Sequence, residues 1–238
     1  MDDYVPFCGT PPLPSELMSR WTFDPVLLAG LAIALALVIR LTSGPARRQA
    51  LGGWALVAIL FVSPLCAASM ALFSARVGQH LLLTLVAAPL LATMLRRAPP
   101  PAFSAAAFAA LFWLWHVPGP YALTLQSDLV YWAMHLSLLG AVVTLWASFR
   151  QSVETMPFAT ILSAAATSAQ MTLLSVLLIS STRLWHPWHA LTTGPFGMTA
   201  LGDQVLAGAL MWVAGGLIFS ALVALLAYRY FALSRRSA

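Results

Sequence analysis

The sequence predicts an all-α integral membrane protein, a bundle of seven transmembrane helices with its N-terminus outside and its C-terminus inside. Three observations carry that reading. Of 238 residues, 61% are hydrophobic and only 8% are charged, against about 25% charged in a typical soluble domain. Such a chain has too few polar groups to cover a water-exposed surface. Its apolar residues also fall in seven runs of about the length needed to cross a bilayer. Its arginines, finally, sit between the runs with a bias toward one side.

The runs cover 24–41, 52–73, 77–95, 101–117, 129–149, 157–180 and 204–230. The first opens on Asp24-Pro25, a capping side chain followed by a proline at the first helical position. Pro99-Pro100-Pro101 separates the third run from the fourth, and Pro118-Gly119-Pro120 ends the fourth. Ser127-Asp128 and Asp203 are placed to cap the fifth and seventh helices. In the sixth, Ser163-Ala164-Ala165-Ala166-Thr167-Ser168-Ala169 makes a slim centre that lets neighbouring helices approach closely.

With the N-terminus outside, the inner side receives Arg40, Arg47, Arg48, Arg96, Arg97, Arg150, Arg229, Arg235 and Arg236, and the outer side only Arg20, Arg76 and Arg183. Asp2, Asp3, Glu16, Asp128 and Asp203 fall outside, and Glu154 inside. The expected organisation is an outward tail over 1–23, one membrane domain over 24–231 and an inner tail over 232–238. No internal repeat or separate soluble domain is visible.

Composition excludes several functions. All twelve basic residues are arginine, so chemistry that needs a lysine amine, a retinal Schiff base included, is absent. No carboxylate lies mid-run, where proton-driven transporters place them. The +5 net charge is scattered between spans and forms no nucleic-acid stripe. Cys8 and Cys66 make no Cys-x-x-Cys pair. No basic segment precedes a short apolar core, so no secretory signal is read. No nucleophile–base pair or paired carboxylates point to an enzyme.

The histidines carry the positive signal. His80 falls near the outer start of the third run, His116 at the outer end of the fourth, and His135 about two turns into the fifth. His186 and His189 fall in the long outer loop between the sixth and seventh. Soft ligands tilt the same way. Cys66 and Met70 share a helix face at i, i+4, and the short connection at 73–76 brings that face near His80. Met134 adjoins His135, and Met211 lies in the outer half of the last run. Thiolate, thioether and imidazole together suit Cu(I), and a neutral imidazole costs less to bury than a charged ligand. The candidate metal ligands are therefore His80, His135, His116, Cys66, Met70 and Met134. Each has a plainer reading: a hydrogen bond between helices for the histidines, packing for the cysteine and methionines. Trp185-His186-Pro187-Trp188-His189 reads as an interfacial aromatic belt. Arg76 stands ready to pair with Asp128, Asp203 or a partner protein.

The segment from Leu72-Phe73-Ser74-Ala75-Arg76-Val77-Gly78-Gln79-His80-Leu81-Leu82-Leu83 to Ala88-Pro89-Leu90-Leu91 resembles the third-helix signature of the polytopic CtaG family of cytochrome c oxidase assembly factors, those found with caa-type oxidases. Further matches follow in order: Trp21-Thr22-Phe23-Asp24-Pro25, Val62-Ser63-Pro64-Leu65, Trp115-His116-Val117-Pro118, Trp132-Ala133-Met134-His135-Leu136, and Asp203-Gln204 leading to Met211-Trp212-Val213 and Gly215-Gly216. The resemblance implies a multi-pass protein of the bacterial plasma (inner) membrane that helps copper reach a haem–copper oxidase. Its partners would be oxidase subunits, the lipid bilayer and a periplasmic copper chaperone. The family often shows His-Met-x-x-His-Met where this chain reads Arg76-Val77 and His80-Leu81, so one histidine of that pair is absent, and arginine cannot replace it as a ligand. Two alternatives stand beside Cu(I) handling: a haem-binding electron-transfer protein with two axial histidines, and a metal-free scaffold for oxidase subunits. A copper permease would need soft ligands along the whole path, and they are confined to the outer half.

Overall fold

The computed structural model describes residues 5–234; Asp2, Asp3, Arg235 and Arg236 lie outside the described residues. Among those residues every regular element is helical. Helix α1 spans Pro25–Leu41, and Asp24 caps it by accepting the Leu27 N–H at 2.9 Å. The chain then turns through Gly44, whose φ of 57° suits glycine, into α2, Gly44–Val62. The Trp54 indole donates to the Leu31 carbonyl at 2.9 Å and ties the two helices together.

The second apolar run is not one straight helix. Pro64 has no N–H and keeps Ser63 extended, so α3, Leu65–Ala71, leaves α2 at 52°. Helix α4, Phe73–Leu82, widens into a π-helical turn at Leu83–Ala87 before α5, Ala88–Leu91. The widening immediately precedes Pro89, whose missing N–H and bulky ring disrupt the regular ladder.

Helix α6, Pro101–His116, is followed by the short α7, Pro118–Leu123. Ser127 caps α8, Asp128–Ser152, and α9 covers Pro157–Ser180. Thr199, not Asp203, caps α10, Ala200–Leu210, by accepting the Gly202 N–H. A second π-helical turn, Met211–Gly216, leads into α11, Leu217–Ser234.

Among the described residues, four helical stretches are long and apolar enough to cross a membrane: Phe73–Met94, Asp128–Ser152, Pro157–Ser180 and Ala200–Tyr228. The bent pair α2–α3 makes a fifth if it counts as one span. The two remaining predicted spans are shorter helices. At 1.5 Å per residue, the 17 residues of α1 reach about 25 Å and the 16 of α6 about 24 Å, against roughly 30 Å of hydrocarbon.

Helix α9 packs on α6, α10 and α11 through one face, while Phe158, Leu162, Leu173 and Val176 stay exposed on the other. Its small residues Ser163, Ala164, Thr167 and Ser168 are buried, and a Cβ on Gly208 of α10 would meet the Ser175 carbonyl at 3.0 Å. Arg47 donates to the Ile39 and Thr42 carbonyls at one end of the bundle, where Thr93 reaches the Ala46 carbonyl and Arg150 that of Ala92. Cations there meet the negative ends of helices. The N-terminal segment, α3, α7 and the 181–199 loop gather at the opposite end.

Candidate metal-binding cavity

Helices α4, α6, α8 and α9 and both π-turns enclose a cavity of about 40 Å³. His80, His116 and His135 all line it, so three of the six candidate ligands converge. His80 Nε2 and His135 Nε2 face each other at 3.2 Å. His135 Nδ1 lies 2.9 Å from the Tyr131 carbonyl, four residues back on α8. A carbonyl only accepts, so Nδ1 carries the hydrogen and Nε2 presents its lone pair. His116 repeats the device: its Nδ1 donates to the Phe112 carbonyl at 2.6 Å. Holding the far nitrogen on a carbonyl fixes the tautomer and ring orientation, the usual support for a metal-ligating imidazole. His80 then meets His135 as the donor, and its Nε2 becomes free to ligate only when that hydrogen shifts to Nδ1. The edge of Phe61 packs on the His135 ring at 4.9 Å.

The other three candidates do not join them. Cys66 is bonded to Cys8 in a disulfide, which corrects the expectation of a thiolate ligand, because its sulfur has no free valence. The sequence offers no cue for this bond, whose two ends are 58 residues apart. Met70 and Met134 are buried but do not line the cavity. Met171 and Met211 do line it, and of these only Met211 stood out in the sequence. Both π-turns contribute to its wall, through Leu83, Thr84 and Met211. The first leaves the Thr84 carbonyl to be taken by the Trp146 indole at 2.8 Å. Such turns recur at functional sites. Among the described residues, no three or more His, Cys, Asp or Glu side chains are arranged to hold a metal ion.

Around the disulfide, the N-terminal segment closes the histidine end. Tyr131 donates its hydroxyl to Cys8 Sγ at 3.2 Å, and Phe7 stacks on the Tyr131 ring at 5.4 Å. Arg76 is fully buried beside it, with its guanidinium 4.9 Å from the Tyr121 ring and 5.9 Å from that of Tyr131. Nη1 donates to Thr124 Oγ1 at 3.0 Å, while Nε and Nη2 have no hydrogen-bond partner among the described residues. Asp203 is committed elsewhere: its carboxylate accepts the Phe73 and Ser74 N–H groups and the Ser74 hydroxyl, capping α4. It therefore serves a helix distant in sequence rather than its own.

The Trp-His-Pro-Trp-His loop is not an exposed belt. His186 and His189 are buried. His189 Nε2 accepts the Tyr121 hydroxyl at 2.7 Å and its Nδ1 donates to the Ala71 carbonyl, while Trp188 donates to the Met70 carbonyl. His186 stacks on Tyr121 at 3.8 Å. Burial, then Arg76, pushes His189 down to about 3 against the opposing hydrogen bond from Ala71. Burial first, with His116, His189 and Arg76 behind it, pushes His186 down to about 2.

A family model described as cytochrome c oxidase caa3 assembly factor matches residues 91–232. His116, Met134, His135, Met171 and Met211 fall inside the match; Cys66, Met70 and His80 precede it. No curated protein matches the chain, and no solved structure does. The match takes in more than half of the 238 residues, and the protein belongs to the cytochrome c oxidase caa3 assembly factor family.

Proposed function

We propose that this assembly factor binds Cu(I) as cargo between His80 and His135, with His116 on the same cavity wall, and passes it on during oxidase maturation. The observation that carries the reading is the pair of Nε2 atoms facing each other at 3.2 Å. The donor set fits the ion: the cavity wall offers imidazoles and thioethers and, among the described residues, no carboxylate, which favours a soft monovalent cation over a hard divalent one. The cavity also argues against haem, because about 40 Å³ is far below the roughly 300 Å³ or more of pockets for organic ligands.

The chain's own part is to hold and release. The Tyr131 and Phe112 carbonyls keep two imidazoles oriented, and exchange of one imidazole for an incoming ligand, one metal–nitrogen bond breaking as the new bond forms, would let the ion leave with no change of oxidation state. The role is non-catalytic. The seven-span reading, N-terminus outside and C-terminus inside, puts the histidine end on the periplasmic face of the inner membrane, where a copper chaperone would deliver and oxidase subunits would receive. The arginine bias supports that orientation.

A strain carrying His80→Ala/His135→Ala tests this. The expected result is an oxidase whose subunits accumulate normally but whose copper content falls. Normal copper content in that strain would overturn the proposal.

A further inference from the structure

The histidine pair sets the shape of whatever it binds. With metal–imidazole bonds of about 2.0 Å, a 3.2 Å separation corresponds to an angle near about 105° at the ion. A linear two-coordinate site would need the nitrogens about 4 Å apart. An ion held by both nitrogens at that separation would be bent rather than linear, and a four-coordinate ion would have two positions left to fill. Both cysteines are bonded to each other, and no third His, Cys, Asp or Glu among the described residues completes a cluster.

We propose that the thioethers of Met171 and Met211 fill those positions, making a His2Met2 site selective for Cu(I). The inference rests on the proposed function and specifies the ligand set of that same cavity. Both methionines are almost fully buried, at 2% and 3% exposure, and both line the cavity with His80 and His135. The fold makes room for Met171 at a particular point. Gly215, in the second π-turn, has no Cβ, and one placed there would collide with the Met171 terminal methyl and lie 3.5 Å from its sulfur. The widened turn that begins at Met211 thus provides both a thioether and the notch that seats the other. Thioethers bind Cu(I) well and Zn(II) poorly, so the set discriminates by ligand softness where the histidines alone would not.

The test is copper K-edge X-ray absorption on the full chain in detergent, loaded with Cu(I) under ascorbate, which leaves the Cys8–Cys66 disulfide intact. With no free cysteine in the chain, a sulfur shell at about 2.3 Å reports methionine. The expected spectrum has nitrogen and sulfur shells. Met171→Leu/Met211→Leu, close to volume-conserving, loses the sulfur shell. Its Cu(I) affinity falls roughly tenfold or more, at least the scale of losing an outer-shell partner, and its Zn(II) affinity holds. Met70→Leu/Met134→Leu keeps the sulfur shell. A nitrogen-only spectrum in the unaltered protein, or a sulfur shell that survives Met171→Leu/Met211→Leu, overturns the thioether assignment while leaving histidine binding intact. An unaltered protein that takes up no copper overturns both.

Discussion

Acidification should undock the 181–199 loop, and the size of the effect follows from its buried histidines. His189 sits at about 3 in the folded protein against an ordinary value of 6.5, so the undocked loop binds a proton that the docked loop refuses. Docking is complete above about pH 6.5 and weakens as pH falls toward 3. At about pH 5 the loss is 1.5 pH units at 1.36 kcal/mol each, about 2 kcal/mol or a ~30-fold drop in protection. His186, held lower still by burial, adds a similar amount. Hydrogen exchange of peptides from this loop, compared at neutral pH and about pH 5 after correction for intrinsic rates, measures it. The His189→Gln variant should lose its share of the pH dependence. Equal corrected protection at both pH values would refute the reasoning.

Three further outcomes are expected. Asp203→Ala should destabilise the fold by about 2–3 kcal/mol, read as a lowered thermal midpoint in detergent, because the Phe73 and Ser74 N–H groups lose a charged acceptor. Gly208→Ala should cost about 1–3 kcal/mol, since its Cβ would press on the Ser175 backbone at 3.0 Å, whereas Gly140→Ala meets nothing within 4 Å and should be neutral or mildly stabilising in the same assay. Cys8→Ser/Cys66→Ser opens a 58-residue loop and should cost up to about 4 kcal/mol in the chain-entropy picture. Limited proteolysis before Asp24 should then accelerate.

The helices were legible because they depend on local rules. Asp24 and Ser127 cap where a polar side chain precedes an apolar run, and α9 begins and ends where its run does. The break at Ser63-Pro64 was missed because hydropathy continues across it, although the proline signals it. Long-range choices left no such trace. Asp203 looks like a cap for its own helix, yet Thr199 takes that role and frees the carboxylate for α4. Cys66 read as a ligand because its partner in the N-terminal segment is fixed only by the tertiary fold. Convergence of His80, His116 and His135 was foreseeable as a shared depth, but which methionines join them depends on helix rotation and on two π-turns. Met171 lies on a helix whose sequence reads only as packing.

The most direct test of copper handling is the copper and iron content per chain of protein purified in mild detergent after exposure to Cu(I) under reducing conditions, beside the His80→Ala/His135→Ala variant. Near-stoichiometric copper that disappears in the variant is the predicted result. Iron in place of copper, or copper that persists without the two imidazoles, would contradict it.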